Sequence, residues 1–229
     1  YLEFERILSA KRIQRYKDAA NGDTRKAMAL YRYNLRLSQE MFTIVSCFEV
    51  ALRNAIDSLL VPSLGEDWLK DSVQDNGIFS NGRMNETRKI IERAYNRLNR
   101  QGNYSHSKLI AEMEFGVWKY MYSSLQYRAT GQCLLRAFPN KPRSSAAVQY
   151  NNTYIFNELD KVNSLRNRIA HHEPICFRLH EAEIDTSYII NEYQKIQTLF
   201  SWMGIDSHSM LYGLDHVQSV CAKINSLKV

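Results

Sequence analysis

A short segment near residue 170 concentrates side chains that can act on a phosphate. Two arginines, two histidines, one asparagine and one glutamate fall within eight residues: Arg166, Asn167, Arg168, His171, His172 and Glu173. Such a cluster is poor core material because each charge must be solvated or paired. Arginine offers a fork of donors that fits a phosphate, and histidine exchanges protons near neutral pH. These residue types suit metal-independent cleavage of an RNA phosphodiester, in which protons move at the 2′-OH and the leaving oxygen while a cation stabilises charge at phosphorus.

The spacing of this segment constrains how it can work. Arg166 and His171 are five residues apart, which places them about 140° apart around a regular helix. The helix must therefore end or distort near them, or a second copy of the chain must contribute. Pro174 disfavours helix at Glu173 and predicts an end near His171. A homodimer with two such segments across a two-fold axis would complete the site.

Two other interpretations of the segment stay open. Arg166 and His171 could have a structural role, with the arginine capping carbonyls at a helix end and the histidine favoured by the negative helix terminus. Alternatively, His172, Cys176 and His180 have the i, i+4, i+8 spacing that could hold zinc on one helix. Because Pro174 falls inside that span and disfavours a continuous helix, we expect no metal site and no cofactor.

A second polar cluster lies in the first half of the chain, at Glu49, Arg53 and Asn54. Glu49 interrupts an otherwise apolar helical line, and Arg53 is its i+4 neighbour, so the two can pair. One interpretation is an ion pair that holds helices together. The other is that this face meets the Arg166/His171 segment, with Arg53 or Asn54 near the scissile phosphate.

The elements that must position these residues are predicted to be helices. Only 9 Gly and 4 Pro occur in 229 residues, which favours long helices over many strands. Apolar periodicity and cap signals predict seven helices: 2–20, 24–60, 84–100, 107–127, 146–171, 183–202 and 207–226. Trp68 and Leu69 should pin the loop at 61–83 to the core, and Gly116 suggests close helix packing beside core Phe115 and Trp118. No repeat or composition shift appears, so we predict one all-α helix-bundle domain over 1–229.

Charge and cysteine usage narrow the partners and the compartment. The net charge of +6 is compatible with a polyanion, RNA above all. The basic run from Arg83 to Arg100 is usually a solvated face, although it could guide an RNA backbone. The four cysteines form no close pair, which is typical of reduced thiols in a cytoplasmic protein. No run of 18 apolar residues predicts a membrane span.

Several stretches together resemble a known family. Arg166-Asn-Arg-Ile-Ala-His171 resembles the R-x4-6-H signature of HEPN ribonucleases, and its extension to Ile175 is similar to the Abi-like (abortive-infection, AbiD/AbiF-type) branch. Three further blocks agree, in the expected order: Leu30-Tyr-Arg-Tyr-Asn34 with Leu37-Ser38, Phe48-Glu-Val-Ala-Leu-Arg-Asn-Ala-Ile56, and Glu114-Phe-Gly-Val-Trp118. Singly each block is weak, but together they cover most of the chain.

The resemblance implies a HEPN-like helical bundle with additional helices, usually a homodimer. It implies RNA cleavage without metal, leaving a 2′,3′-cyclic phosphate and a 5′-OH, in bacterial phage defence. Catalysis would fall on Arg166 and His171. Supporting roles are expected for Asn167, His172, Glu49, Arg53 and Asn54. An antitoxin or regulatory RNA would be a further partner. The alternatives are a non-catalytic module that binds RNA or protein, and a helical partner of a separate toxin.

Overall fold

A computed structural model of the chain describes residues 2–228, with side chains from residue 3 onward. Within that range it contains twelve α-helices: α1 Leu2–Leu8, α2 Ala10–Ala19, α3 Thr24–Leu64, α4 Trp68–Asp71, α5 Asn85–Arg100, α6 His106–Glu112, α7 Phe115–Tyr120, α8 Ser124–Ala129, α9 Asn152–Ala170, α10 Ser187–Trp202, α11 Ser207–Met210 and α12 Val217–Asn225. Two 3-10 turns cover Gly82–Met84 and Leu134–Ala137. The described part holds no strand beyond a single antiparallel bridge between Phe177 and Ile184, which confirms the all-α prediction.

Helix α3 is the longest element, with 41 residues, or about 60 Å of rise. Asp23 caps its start, because its carboxylate accepts hydrogen bonds from the amides of Arg25 and Lys26 (2.9 and 3.1 Å). The apolar periodicity that predicts this helix runs from Leu30 to Leu59. Most of its residues are buried, namely Leu30, Leu37, Met41, Ile44, Val45, Phe48, Leu52 and Ile56, whereas Leu59 is half-buried. The helix runs through Pro62 and ends before Gly65, whose φ of 93° only glycine adopts freely.

The prediction of one continuous helix over 107–127 is wrong. Met113 and Glu114 are extended (ψ 129° and 158°), as is Ser123 (ψ 154°), and these residues separate α6, α7 and α8. In one straight helix Met113 and Phe115 would point to nearly opposite sides. The break lets both be buried, so tertiary burial overrides local propensity here.

Four other predicted helices have different bounds. The 2–20 helix breaks at Ser9 (φ 68°), whose hydroxyl accepts the amide of Arg12 at the start of α2. Helix α9 starts at Asn152 rather than 146, because the Asn151 side chain accepts the amide of Tyr154 (3.0 Å). The 207–226 helix splits around Gly213, which has a φ of 74°. The 183–202 helix begins at Ser187. Each break coincides with a cap or a left-handed residue.

The chain divides into two compact units. The first unit comprises residues up to 46, 164–198 and from 206 onward, and the second comprises 47–163 and 199–205. The single-domain organisation therefore stays a prediction. Every helix in the described range is too short or too polar to cross a bilayer.

Aromatic clusters form part of the core of each unit. In the first unit the ring of Tyr16 meets Tyr31 and Phe177 at centroid distances of 5.2 and 5.1 Å. Burial raises the pKa of Tyr16, so its phenol stays neutral. In the second unit Phe48 contacts Phe115 and Phe200 at 6.3 and 5.3 Å. The first cluster packs α2 and α3 against the segment that follows α9, and this segment carries the candidate site.

Trp68 and Leu69 are buried, as predicted. Trp68 donates its indole N–H to the carboxylate of Asp57 (2.7 Å), which fixes α4 to α3 within the second unit. Gly116 does not behave as predicted. A Cβ at this position would meet no atom within 4 Å, so the glycine faces open space rather than a closely packed helix.

Candidate functional site

The C-terminal end of α9 is where the Arg166/His171 segment lies. The helix ends at Ala170, which confirms the predicted end near His171. His172 follows with a φ of 56°, the left-handed conformation that glycine usually supplies after a helix. Histidine is one of the few other residues enriched there. Pro174 comes two residues later and cannot continue the helix.

Two backbone hydrogen bonds close this turn as a Schellman motif. The amide of His172 donates to the Ile169 carbonyl, and the amide of Glu173 donates to the Arg168 carbonyl, each at 2.9 Å. Because backbone amides satisfy these carbonyls, the helix end does not depend on an arginine cap from Arg166. His171 is the first residue after the helix and is exposed to solvent.

Arg168 holds the turn together and is not available to a ligand. Its guanidinium pairs with Glu173 (3.3 Å), donates to the Pro174 carbonyl (3.0 Å) and lies 4.9 Å from the ring centroid of Tyr188. Only 19% of its side chain is exposed. Two of the charged residues that the sequence grouped into one cluster are therefore used in supporting the turn.

Two residues from distant parts of the sequence fasten the same turn. Asn34 is buried in α3, and its side-chain oxygen accepts the amide of Ile175 (2.9 Å). Arg12 of α2 donates to the carbonyl of His172 (3.3 Å). Neither residue was predicted to belong to the site. The only sign of the role of Asn34 in the sequence is its position in one of the family-like blocks, because its contact joins residues 141 positions apart.

Arg166 and His171 differ from this supporting set. The guanidinium of Arg166 has one side-chain contact, a long 3.5 Å approach to the Asn167 oxygen. Neither it nor the exposed imidazole of His171 pairs with a carboxylate among the residues that the structure describes. Both side chains can therefore meet an anion without first breaking an ion pair. Asn167, next to Arg166 in the sequence, and His172, next to His171, are exposed as well.

The spacing suggested for zinc does not form a helical face. His172 and His180 lie in separate left-handed turns beyond the end of α9. Cys176 is buried between them, and burial raises the pKa of its thiol to about 12. Across residues 2–228, no group of three His, Cys, Asp or Glu side chains is placed to hold a metal ion.

The second predicted cluster lies on the part of α3 that belongs to the second unit. Glu49 and Arg53 are half-buried and Asn54 is exposed. The Nε of Arg53 is buried and finds no hydrogen-bond partner within the described chain. A contribution of these residues to the Arg166/His171 site stays a prediction.

Comparison with known proteins gives one finding. A family model described as Abi-like protein matches residues 2–176, well over half of the chain. The match includes Asn34 and the whole turn through Ile175, and it ends before α10. Searches of curated proteins and of solved structures find no match. From the extent of the family match, we conclude that the chain belongs to the Abi-like protein family.

Proposed function

We propose that the chain is a metal-independent endoribonuclease of bacterial abortive infection, with Arg166 and His171 as its catalytic residues. Membership of the Abi-like family supports the defence role. In such a role, RNA cleavage would stop growth of an infected cell before phage multiply. The site chemistry supports the reaction type.

The observation that carries the proposal is how the charged side chains of the segment are used. Arg168 and Glu173 pair with each other and hold the turn. Arg166, on the last turn of α9, and His171, directly after the helix, have no such partner among the described residues. An unpaired guanidinium and an unpaired imidazole are two of the groups that metal-independent phosphodiester cleavage uses.

The reaction begins with removal of the proton from the ribose 2′-OH by a base. The 2′-oxygen then attacks phosphorus, and the bond from phosphorus to the 5′-oxygen breaks. That oxygen takes up a proton, which leaves a 2′,3′-cyclic phosphate and a 5′-OH. His171 acts as base or acid, and Arg166 binds the phosphate and stabilises its developing charge.

A second copy of the chain supplies the remaining proton-transfer group in this scheme. One imidazole cannot serve as both base and acid in a concerted step, and Arg166 and His171 do not share a helix face. A homodimer that juxtaposes two α9 ends across a two-fold axis provides two imidazoles and two guanidinium groups.

The test is cleavage of end-labelled mixed RNA by purified protein in EDTA. We expect the His171→Ala variant to lose about 10²–10⁴-fold in rate, as expected for a general acid or base. Arg166→Ala should lose about 10²–10³-fold, the usual effect of removing a group that stabilises transition-state charge. The matched controls are His208→Ala and Arg25→Ala, which alter exposed residues outside the segment.

The end groups of the products complete the test. Cyclic-phosphate ends from the wild type and from both controls would support the proposal. Equal RNA binding without cleavage by any variant would favour the non-catalytic binding module instead. Cleavage that survives both site substitutions would contradict the assignment of Arg166 and His171.

A further inference from the structure

A cleft in the second unit is lined by none of the residues of the candidate site. It lies between α5 and α7, has a volume of about 840 Å³, and includes residues of the turn before α5 in its lining. Arg93 and Arg97 also line a second groove, of about 590 Å³, along the last two turns of α5. The volume of the cleft falls within the range that holds a ligand of nucleotide size.

Arginines line the cleft and its extension. Arg93, Arg97 and Arg100 have i, i+4, i+7 spacing and so share one face of α5. Arg83 stands at the other end of the cleft. The adjoining groove is lined by these three arginines with Asn96 and Gln101, and no acidic residue lines it.

Most acidic residues of the cleft are already paired. Glu112 pairs with Arg97 and Glu86 with Lys89, whereas exposed Glu114 has no cationic partner in the described part of the chain. Arg93 and Arg100 likewise pair with no carboxylate there, and neither does Arg83. Three unpaired arginines against one unpaired glutamate leave the cleft and groove with a net positive unpaired charge, which complements a polyanion.

The floor of the cleft is apolar and open. Gly116 lines it, and a Cβ there would meet no atom within 4 Å. Ala94 and Val117 add apolar surface. Thr87 and Gln126 are buried and hydrogen-bonded to each other (3.1 Å), so they leave a satisfied polar edge. Unpaired cations at the rim and apolar surface in the floor suit a nucleotide, with its phosphate outside and its base inside.

Tyr120 provides an exposed aromatic ring at the edge of the cleft. The residue is 47% exposed. Its ring contacts the ring of Phe156 at a centroid distance of 5.7 Å, and the Nζ of Lys119 lies 4.5 Å from its centroid. A ring fixed by its neighbours loses little conformational freedom when a base stacks on it. It is therefore a ready stacking surface.

We propose that this cleft anchors the substrate strand of RNA. The phosphates lie along Arg93 and Arg100, and one unpaired base enters the floor over Gly116 beside Tyr120. The strand is single-stranded at this point, since a base within a duplex cannot reach the cleft. This inference rests on the proposed function, because it names further residues with which that enzyme would hold its RNA substrate.

The first test changes the charge of the groove, with every variant compared in the same His171→Ala background that prevents cleavage. The Arg93→Glu/Arg100→Glu variant is compared with Arg25→Glu/Arg136→Glu, which alters two exposed arginines elsewhere and lowers the net charge equally. Binding of a labelled RNA of about twelve nucleotides is followed by anisotropy in a His171→Ala background. Loss of two phosphate contacts should weaken binding about 25-fold near 0.1 M salt and reduce the salt slope by about 1.4. The control should keep the wild-type slope.

The second test fills the floor with a Gly116→Leu substitution. A Cβ at this position would meet no atom within 4 Å, and replacing a glycine favours the helix, so we expect thermal stability not to fall. Affinity for the RNA should fall about tenfold, as for loss of one stacked base. Affinity for an abasic strand of equal length should not change. Uridine monophosphate, titrated as competitor, distinguishes a free nucleotide from a strand. We expect uridine monophosphate to compete only at concentrations far above the dissociation constant of the RNA strand.

The outcomes separate this inference from the nuclease proposal. Equal loss of binding in the groove variant and its control would overturn the anchor, as would Gly116→Leu weakening the abasic strand as much as RNA. If the mononucleotide competed at concentrations near the dissociation constant of the RNA strand, RNA would not be the occupant of the cleft. Cleavage by the wild type is scored independently, so the anchor can fail while the nuclease proposal stands.

Discussion

At the scale of single residues, two adjacent histidines have different structural positions. His171 directly follows the end of α9 at Ala170, whereas His172 has the left-handed conformation that closes the turn. A non-glycine residue in that conformation costs about 1–2 kcal/mol, although histidine is better tolerated than most. The conformation of His172 therefore stores a small strain next to the proposed catalytic residue.

The His172→Gly substitution should relieve that strain. Glycine loses about 0.5–1 kcal/mol through backbone entropy, so the net gain in unfolding free energy should be within about 1 kcal/mol. His172→Val should instead lose about 1–2 kcal/mol, because a β-branched side chain resists positive φ. Urea denaturation measures both. A destabilised glycine variant would mean that the imidazole itself stabilises the turn.

Asn34 allows a test of how the turn is held. Asn34→Ala leaves the buried amide of Ile175 without an acceptor, which should lower the unfolding free energy by about 1–3 kcal/mol. Hydrogen exchange at the Ile175 amide should accelerate. Gln39→Ala, at an exposed position of the same helix, should stay within about 0.5 kcal/mol of wild type. Unchanged exchange at Ile175 would show that another group holds the turn.

At the scale of elements, the sequence predicts helices well where periodicity and caps agree. Helix α5 lies where predicted, α3 starts where predicted but runs through Pro62 to Leu64 instead of ending at 60, and α9 ends where Pro174 indicates. The split of 107–127 could not be predicted, because it follows from burial of both Met113 and Phe115. The break in 207–226 had a local signal in Gly213 that the apolar pattern outweighed.

At the candidate site too, features within one short segment could be predicted, whereas contacts between distant parts of the sequence could not. Arg166 and His171 are identifiable because their types and spacing lie in one segment. Arg12 and Asn34 support that segment through contacts from 160 and 141 residues away, which local patterns do not encode. A buried asparagine in an apolar helix is the one such signal that a sequence offers, since buried polar groups need partners.

Asp185 makes the start of α10 sensitive to acid. Its carboxylate accepts the amide of Ser187 (2.9 Å), and hydrogen bonds from Ser187 hold its pKa below the ordinary value. A lowered pKa in the folded state means that the ionised carboxylate stabilises the fold above the unfolded pKa near 4. This stabilisation is lost as pH falls through the folded pKa.

The Asp185→Ala variant should therefore lose about 1 kcal/mol of stability at pH 7. The difference from wild type should shrink as the pH falls below about 4 and vanish once Asp185 is protonated. Denaturation at a series of pH values, with Asp75→Ala as an exposed control, checks this. A difference that is constant with pH would assign the effect to packing instead of charge.

At the scale of the whole molecule, the proposed mechanism makes activity depend on assembly. Size measurement by light scattering should give twice 26.8 kDa at working concentration. On dilution below the dissociation constant of the dimer, RNA cleavage per chain should fall in step with the dimer fraction. Constant cleavage per chain across the transition to a 26.8 kDa species would contradict a site shared between protomers.

The burial of Cys176 has a consequence for observing the site in operation. This thiol follows Pro174 by two residues, and its raised pKa keeps it protonated and inert at neutral pH. Alkylation of Cys176 requires the turn after α9 to open, so the rate of alkylation at this cysteine, followed by mass spectrometry, reports how often the turn opens. RNA bound at Arg166 and His171 should lower that rate, even in a variant that cannot cleave RNA.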